Sequence, residues 1–361
     1  MSNNNILKCL ALAACLTLTG VTASYAYDFE SDGIYYDITS SKEVGVTYKN
    51  TDYNSYSGDI VIPSTVRYNS KTYTVTSIRG YAFYKCTSLT SIDLPDGVTS
   101  IKYGAFEDCA SLTNIVIPDA VTSIEDYTFY NCTSLTSIDL PDGLTSIGSY
   151  AFYYCTSLVS IDLPDGLTSI GYRAFQSCKS LVSIDLPNGV MSIEDEAFSG
   201  CTSLVSIDLP DGLTSIWDEA FSGCTSLTDV YSLNVTPPTC SNSYVFSTTT
   251  YNNATLHVPS EALTNYQTTS PWSKFDNIVG DATTGIEDVS ISEEYSIGTS
   301  NGTITVTGVS GTVSVYGMNG VKVAEATADG GTTLLDIPQR GIYIVKVSDG
   351  KSSAAQKVTV Q

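Results

Sequence analysis

Three residue types recur at one fixed spacing, and each could in principle do chemistry. Cysteines stand at Cys86, Cys109, Cys132, Cys155, Cys178, Cys201 and Cys224, each 23 residues after the last. In an oxidising compartment, thiols stacked about 5 Å apart have a spacing that disulfide geometry permits. Aspartates keep the same step at Asp93, Asp139, Asp162, Asp185 and Asp208, with Val116 in the second place and Tyr231 after the last. Such a file of carboxylates is an acidic track for basic protein segments or weakly held divalent cations. Tyrosines crowd a third set of positions: Tyr81, Tyr84, Tyr103, Tyr127, Tyr130, Tyr150, Tyr153, Tyr154 and Tyr172. Amphipathic phenols give recognition surfaces area at low entropic cost.

Each set also has a plainer reading. The cysteines are odd in number and lie in an apolar frame, where Cys behaves as a small hydrophobe. A free thiol ladder is therefore expected, with a Cys224–Cys240 pair left open. Neighbouring aspartates about 5 Å apart repel by about 0.8 kcal/mol in a water-like dielectric. Salt screens the more distant ones, so the file is tolerable as a solvated face. The tyrosines can serve to cover gaps between repeats. Binding candidates on this reading are Asp93, Asp139, Asp162, Asp185, Asp208, Tyr127, Tyr130, Tyr150, Tyr153, Tyr154 and Tyr172.

Nothing comparable points to catalysis. His257 is the one histidine, so a Ser-His-Asp or Cys-His arrangement has a single possible member and no local signature. No Gly-rich phosphate loop follows a strand pattern, and no Cys-x-x-Cys or Cys/His set has metal spacing. Neither an enzyme nor a metal nor a cofactor is expected.

What positions all three sets is a 23-residue unit, clearest from Ala151 to Arg173, whose phenylalanines fall at 83, 106, 129, 152, 175, 198 and 221. No insertion breaks the register, which makes each unit one coil of a solenoid. Leu89, Ile92 and Leu94 have Leu-x-x-Leu-x-Leu spacing, with a short parallel strand around Ser91 to Leu94. Ile92 and Leu94 point inward while Ser91 and Asp93 point out. Pro95 ends the strand, Asp96-Gly97 turns the chain, and Val98 and Ile101 re-enter the core. Ala105, Phe106 and Cys109 share one face of an expected short helical turn on the back of the coil.

The pattern Leu-x-x-Ile-x-Leu-Pro-x-x-Leu-x-x-Ile-x-x-x-Ala-Phe-x-x-Cys resembles the BspA-like leucine-rich repeats of bacterial surface proteins. The resemblance covers roughly Ile60 to Gly280. It implies a β-rich α/β solenoid, with a parallel sheet on the concave face and short helical turns on the convex face. Such surface proteins include adhesins that bind host matrix proteins and cells. By that resemblance the chain is a non-enzymatic binding protein for an extracellular protein or glycoprotein; the alternative is a structural surface component without a specific ligand.

The flanking segments complete the expected plan. Residues 1–26 read as an export signal, with Lys8, the apolar run Cys9 to Val21 and a cleavage point after Ala26. Leu12-Ala-Ala-Cys15 offers a competing lipoprotein cleavage box; either way the protein leaves the cytoplasm for the bacterial surface or the medium. No stretch is long enough for a transmembrane helix. Residues 27–81 form a β cap, 82–230 the repeats, and 231–280 a closing cap in which Leu256-His-Val-Pro259 repeats the strand-ending pattern. After a linker over 281–296, residues 297–361 alternate as short strands of a small β-sandwich. Val313 to Gly320, Gly341 to Val347 and Lys357 to Val360 resemble the type A sorting domain of type IX secretion. That domain directs export across the outer membrane and is usually cleaved on attachment to surface lipopolysaccharide; the alternative is a spacer that stays attached. The formal charge of -22, from 38 acidic against 16 basic residues, disfavours nucleic acid and anionic membranes as partners.

Overall fold

The repeat stacks because each coil sends backbone hydrogen bonds to the next from three places, so no coil closes its own ladder. The computed structural model describes residues 27–50, 53–280, 296–300, 303–317, 322–337, 341–348 and 353–360. The expected export signal with Cys15, residues 281–295 of the expected linker, and residues 318–320 and 349–350 lie outside the described residues. We number coils 1 to 7 by their phenylalanines, from Phe83 to Phe221.

The first ladder is the front strand. Gly58–Val61 pairs in parallel with Leu89–Asp93 of coil 1, and Asn114–Val116 with Ser137–Asp139. Ser206–Leu209, Asp229–Ser232, Thr255–His257 and Asn277–Val279 continue it to the far end. The second ladder is a column of Ser-Ile pairs in strict register, such as Ser123–Ile124, Ser146–Ile147 and Ser169–Ile170. At the start it joins an N-terminal sheet through Lys71–Ile78, which also pairs with Glu43–Thr47. Asp32-Gly33 turns the chain between Phe29–Ser31 and Ile34–Ile38, which pair as a hairpin.

The third ladder runs down the back, where the expected helical turn is replaced by overlapping tight turns. In coil 1 the amides of Tyr81, Phe83 and Lys85 donate to Tyr103, Ala105 and Glu107 of coil 2 at 3.1, 2.8 and 2.9 Å. The amides between them, Ala82, Tyr84 and Cys86, close turns within the coil onto Arg79, Tyr81 and Phe83. An α-helix needs every amide for its own i→i−4 bonds. Here alternate amides leave the coil, so a helix cannot form. The geometry requires left-handed backbone two residues before and two after each phenylalanine, as at Tyr81 (φ 59°) and Lys85 (φ 57°). Glycine takes such positions at Gly104, Gly200 and Gly223; elsewhere the side chains accept about 1–2 kcal/mol of strain each.

The core is one continuous filling. Ala, Phe, Cys, Leu and Ile of successive coils are buried in columns. The phenyl rings stack 5.0–5.4 Å apart and nearly parallel from Phe83 to Phe221. Two further rings extend this column beyond the 23-residue register. Tyr56 lies 4.6 Å from Phe83, and Phe246 stacks on Phe221 at 5.2 Å. Trp272, Phe275 and Tyr251 then close the far end edge-on against Phe246. Each stacked pair contributes about 0.5–1.5 kcal/mol beyond simple burial.

The C-terminal residues build two antiparallel sheets. One orders Ser296–Ser300, Thr303–Thr307 and Thr332–Asp336; the other orders Lys322–Asp329, Ser310–Gly317, Gly341–Ser348 and Ser353–Val360. Ile304, Val306, Val313, Val315, Val345 and Val347 from both sheets share a second core. The strand at Ser296–Ser300 begins at the last residue of the expected linker, Ser296.

Candidate functional site

The aspartates come together on the front. Strand register ties Val61 to Asp93, Val116 to Asp139 and Asp185 to Asp208, and continues from Asp208 through Tyr231 and His257 to Val279. Asp93, Asp139, Asp162 and Asp208 are exposed and Asp185 is half-buried. Parallel pairing forces this outcome, because an unbroken 23-residue period puts the same letter beside itself in every coil.

The front ladder is not uniform. Residues 160–163 of coil 4 and 183–184 of coil 5 lie outside the paired strands, and a single bridge, Asp185 to Asp208, marks the return of pairing. A cavity of about 130 Å³ opens here, lined by Ser160, Ile161, Asp162, Ser183, Ile184, Asp185, Ser206 and Asp208. Three of the five candidate aspartates border it, while Asp93 and Asp139 stand outside. Immediately before its serines lie Val159, Val182 and Val205, 48%, 41% and 43% exposed. Coils 1, 2, 3 and 7 carry threonine at that position (Thr90, Thr113, Thr136, Thr228). The valine substitution is visible in the sequence, yet only the cavity gives it meaning.

The tyrosines gather on the back flank, but mostly against one another. Tyr127 stacks on Tyr150 at 4.7 Å and Tyr130 on Tyr153 at 4.8 Å. Tyr103 inserts between Tyr81 and Tyr127, at 5.3 and 5.2 Å, beside Gly104, which has no side chain to fill the row. Tyr172 meets Tyr150 edge-on at 5.2 Å, and the Arg173 guanidinium lies 4.8 Å over the Tyr172 ring. Arg173 in turn pairs with Glu196, where the flank turns acidic. Of the six candidate tyrosines only Tyr154 is exposed; Tyr127, Tyr130, Tyr150, Tyr153 and Tyr172 are half-buried. Burial raises the phenols of Tyr127, Tyr130 and Tyr153 above their ordinary value and pushes Tyr172 to about 12, so these groups remain hydrogen-bond donors.

Glu107 replaces a tyrosine in this array. Burial, with Asp108 repulsion added and Lys85 opposing, pushes its carboxyl up to about 7.

The cysteine column is free and buried from Cys86 to Cys224, and Cys224 and Cys240 are separate thiols. Its place is structural. From Cys109 to Cys224, successive thiols donate to the phenylalanine carbonyl of the preceding coil, as Cys109 does to Phe83 at 3.1 Å and Cys132 to Phe106 at 3.2 Å. Burial raises Cys132 well above the ordinary thiol range, leaving little reactive thiolate.

His257 belongs to the front row, which its place on a cap strand only hints at. Its Nε2 lies 3.0 Å from Asp229 Oδ1, and its ring stacks on Tyr231 at 4.3 Å. These residues close the end of the aspartate file with a flat aromatic pair. No group of three His, Cys, Asp or Glu residues with metal-holding geometry occurs among the described residues. No helix among them is long and apolar enough to cross a membrane.

Comparison with known proteins gives this architecture relatives. The chain matches the family described as BspA type leucine rich repeat region, in 6 copies, over residues 64–179 and 145–268. Among solved structures, the T. pallidum leucine rich repeat protein is similar at 32% identity, over 55% of this chain and 90% of that one, with a TM-score of 0.49. A leucine-rich repeat protein from Bacteroides ovatus is 29% identical over 64% of this chain and 71% of its own, with a TM-score of 0.47. A leucine rich cell surface protein from Faecalibacterium prausnitzii is 21% identical over 71% and 95%, with a TM-score of 0.24. No curated protein matches the chain. The repeated Ala-Phe-x-x-Cys frame, its stacked parallel strands and the family match agree: the chain belongs to the BspA-type leucine-rich repeat family.

Proposed function

We propose that this is a non-enzymatic, exported binding protein, displayed on the bacterial surface or released from it, that holds an extracellular protein or glycoprotein through its repeat surface. The observation that carries this reading is the interrupted front face. A purely solvated face would keep the same polar letter throughout, but coils 4 to 6 put exposed valines and an apolar-floored cavity beside the aspartates. Exposed apolar area with a polar rim is the usual mark of a contact surface. The candidate tyrosines support the reading less, because their rings are occupied with each other. The test is a binding screen of the exported chain against matrix proteins and cell-surface glycoproteins. Saturable binding of at least one is expected; a flat screen would leave a structural coat component as the better account.

In this proposal residues 27–81 and 231–280 cap the array over 82–230, residues 281–296 link it to the rest, and residues 297–361 are a β-sandwich sorting module for type IX export. The separate core of the C-terminal sheets supports that division. The intact mass of the surface form should then fall short by roughly the last eighty residues, a typical size for one small domain. A full-length tail on the surface form would leave the module as a permanent spacer.

A further inference from the structure

We propose that the front cavity of coils 4 to 6 seats a lysine side chain from an extended basic segment of the partner, its stem on Ile161 and Ile184 and its ammonium among Asp162, Asp185 and Asp208. This rests on the binding-protein reading above and names the chemistry that the site selects.

Two observations made on different residues coincide in the same three coils. The first is the cavity itself. Its volume of about 130 Å³ holds several waters or one unbranched side chain. Its floor is isoleucine and its edge is carboxylate and serine hydroxyl. Lysine buries an apolar stem while keeping its charged end at a polar edge. Its three N–H donors answer three separate carboxylates, whereas the planar arginine fork suits a single bidentate one.

The second is the valine stripe. At the same position in other coils, Thr113, Thr136 and Thr228 donate hydroxyl hydrogen bonds to the preceding coil at 3.4, 3.0 and 3.3 Å. Val159, Val182 and Val205 give up those bonds and leave methyl groups in water. Each exchange gives up a hydrogen bond to the preceding coil, and a partner with apolar residues beside its lysine would cover the exposed methyl groups. Charge complementarity selects the partner's sign. The outward front positions of coils 1 to 7 carry no Lys or Arg, and the whole chain carries a formal charge of -22.

The test uses fluorescence anisotropy on the exported chain at about 0.15 M salt, where diffuse attraction is screened. The probes are labelled ten-residue peptides of alternating Lys and Val, Lys and Ser, or Glu and Val. The Lys-Val peptide should bind at least fivefold more tightly than Lys-Ser, and Glu-Val should not bind. Val159→Thr/Val182→Thr/Val205→Thr, which restores the residue used by the other coils, should erase the preference for Lys-Val. Asp162→Asn/Asp185→Asn/Asp208→Asn should weaken binding at least tenfold. The charge-matched Asp96→Asn/Asp119→Asn/Asp142→Asn, in the turns after the strands, should leave it within twofold. Unchanged thermal unfolding of each variant confirms its fold. Equal weakening by both aspartate triples, or no difference between Lys-Val and Lys-Ser, overturns the site. If no peptide binds while a matrix protein does, the lysine site fails and the binding-protein reading survives. If neither binds, both fail.

Discussion

The front and back of each coil are built from the same repeat yet divide the work differently. On the back, alternate backbone amides cross to the next coil, the chain takes left-handed turns, and tyrosines close over them ring against ring. On the front, the strand backbone already satisfies the ladder over much of its length, so the outward letters are less bound to the fold, and only some of them, such as Thr113, Thr136 and Thr228, bond to the preceding coil. The lesson is that abundance misleads. The tyrosines are the more conspicuous set in composition, but structure consumes them. On the proposed reading, recognition falls to the sparser front letters, where coils 4 to 6 depart from the rest.

Substitutions can break this comparison at graded depths. The largest effect belongs to the column both faces share. Phe152→Ala removes a ring stacked on Phe129 and Phe175, and should cost about 3–5 kcal/mol in denaturant unfolding. Tyr150→Ala on the back should cost about 1–2 kcal/mol, since that ring touches Tyr127, Tyr153 and Tyr172, while partner binding stays unchanged. Loss of binding without loss of stability at Tyr150 would reverse the division proposed here.

The back should also respond to pH. The Glu107 carboxyl is raised from the ordinary 4.5 to about 7, so the folded chain holds a proton that the unfolded chain has released between those values. Stability therefore falls as pH rises from 4.5 through 7, and the protonated form is favoured below. Discounted for half-exposure, the change is about 1 kcal/mol. Glu107→Gln should flatten thermal stability between pH 5 and pH 8 on that order. An unchanged slope would place the titration elsewhere.

Ser177→Gly tests the left-handed turns. Ser177 sits at φ 61°, where coils 6 and 7 carry Gly200 and Gly223. Removing the side chain should raise stability by about 0.5–1 kcal/mol, read as a higher unfolding midpoint. The smallest stability effect is expected on the front. Asp162→Asn should alter unfolding by less than about 1 kcal/mol, because its neighbours repel it only through solvent, yet it should weaken binding.

How much of this was legible from the chain depends on how far each letter's role lies within one repeat. Phe152, Cys155, Leu158, Ile161, Leu167 and Ile170 are core by period alone, and all are buried. Tyr56 and Phe246 were not legible as ends of the ring column, because they lie 27 residues before Phe83 and 25 after Phe221, outside the register. The i, i+1 and i+4 spacing of Ala105, Phe106 and Cys109 suggests a helical turn because it cannot show that alternate amides bond to another coil. The aspartate file followed from the period, but the gap in the ladder across residues 160–163 has no counterpart in the letters Ser-Ile-Asp-Leu, which coil 6 repeats with full pairing. Val159, Val182 and Val205 differ in letter from the threonines of the other coils, but the letter alone carries no sign of the cavity beside them.

Hydrogen–deuterium exchange on the full chain, with and without saturating Lys-Val peptide, tests the central division most directly. Protection should appear in residues 159–163, 182–186 and 205–209, with residues 127–130 and 150–154 unchanged. Protection centred on the tyrosine flank, or spread evenly along the front from Asp93 to Asp208, would contradict it.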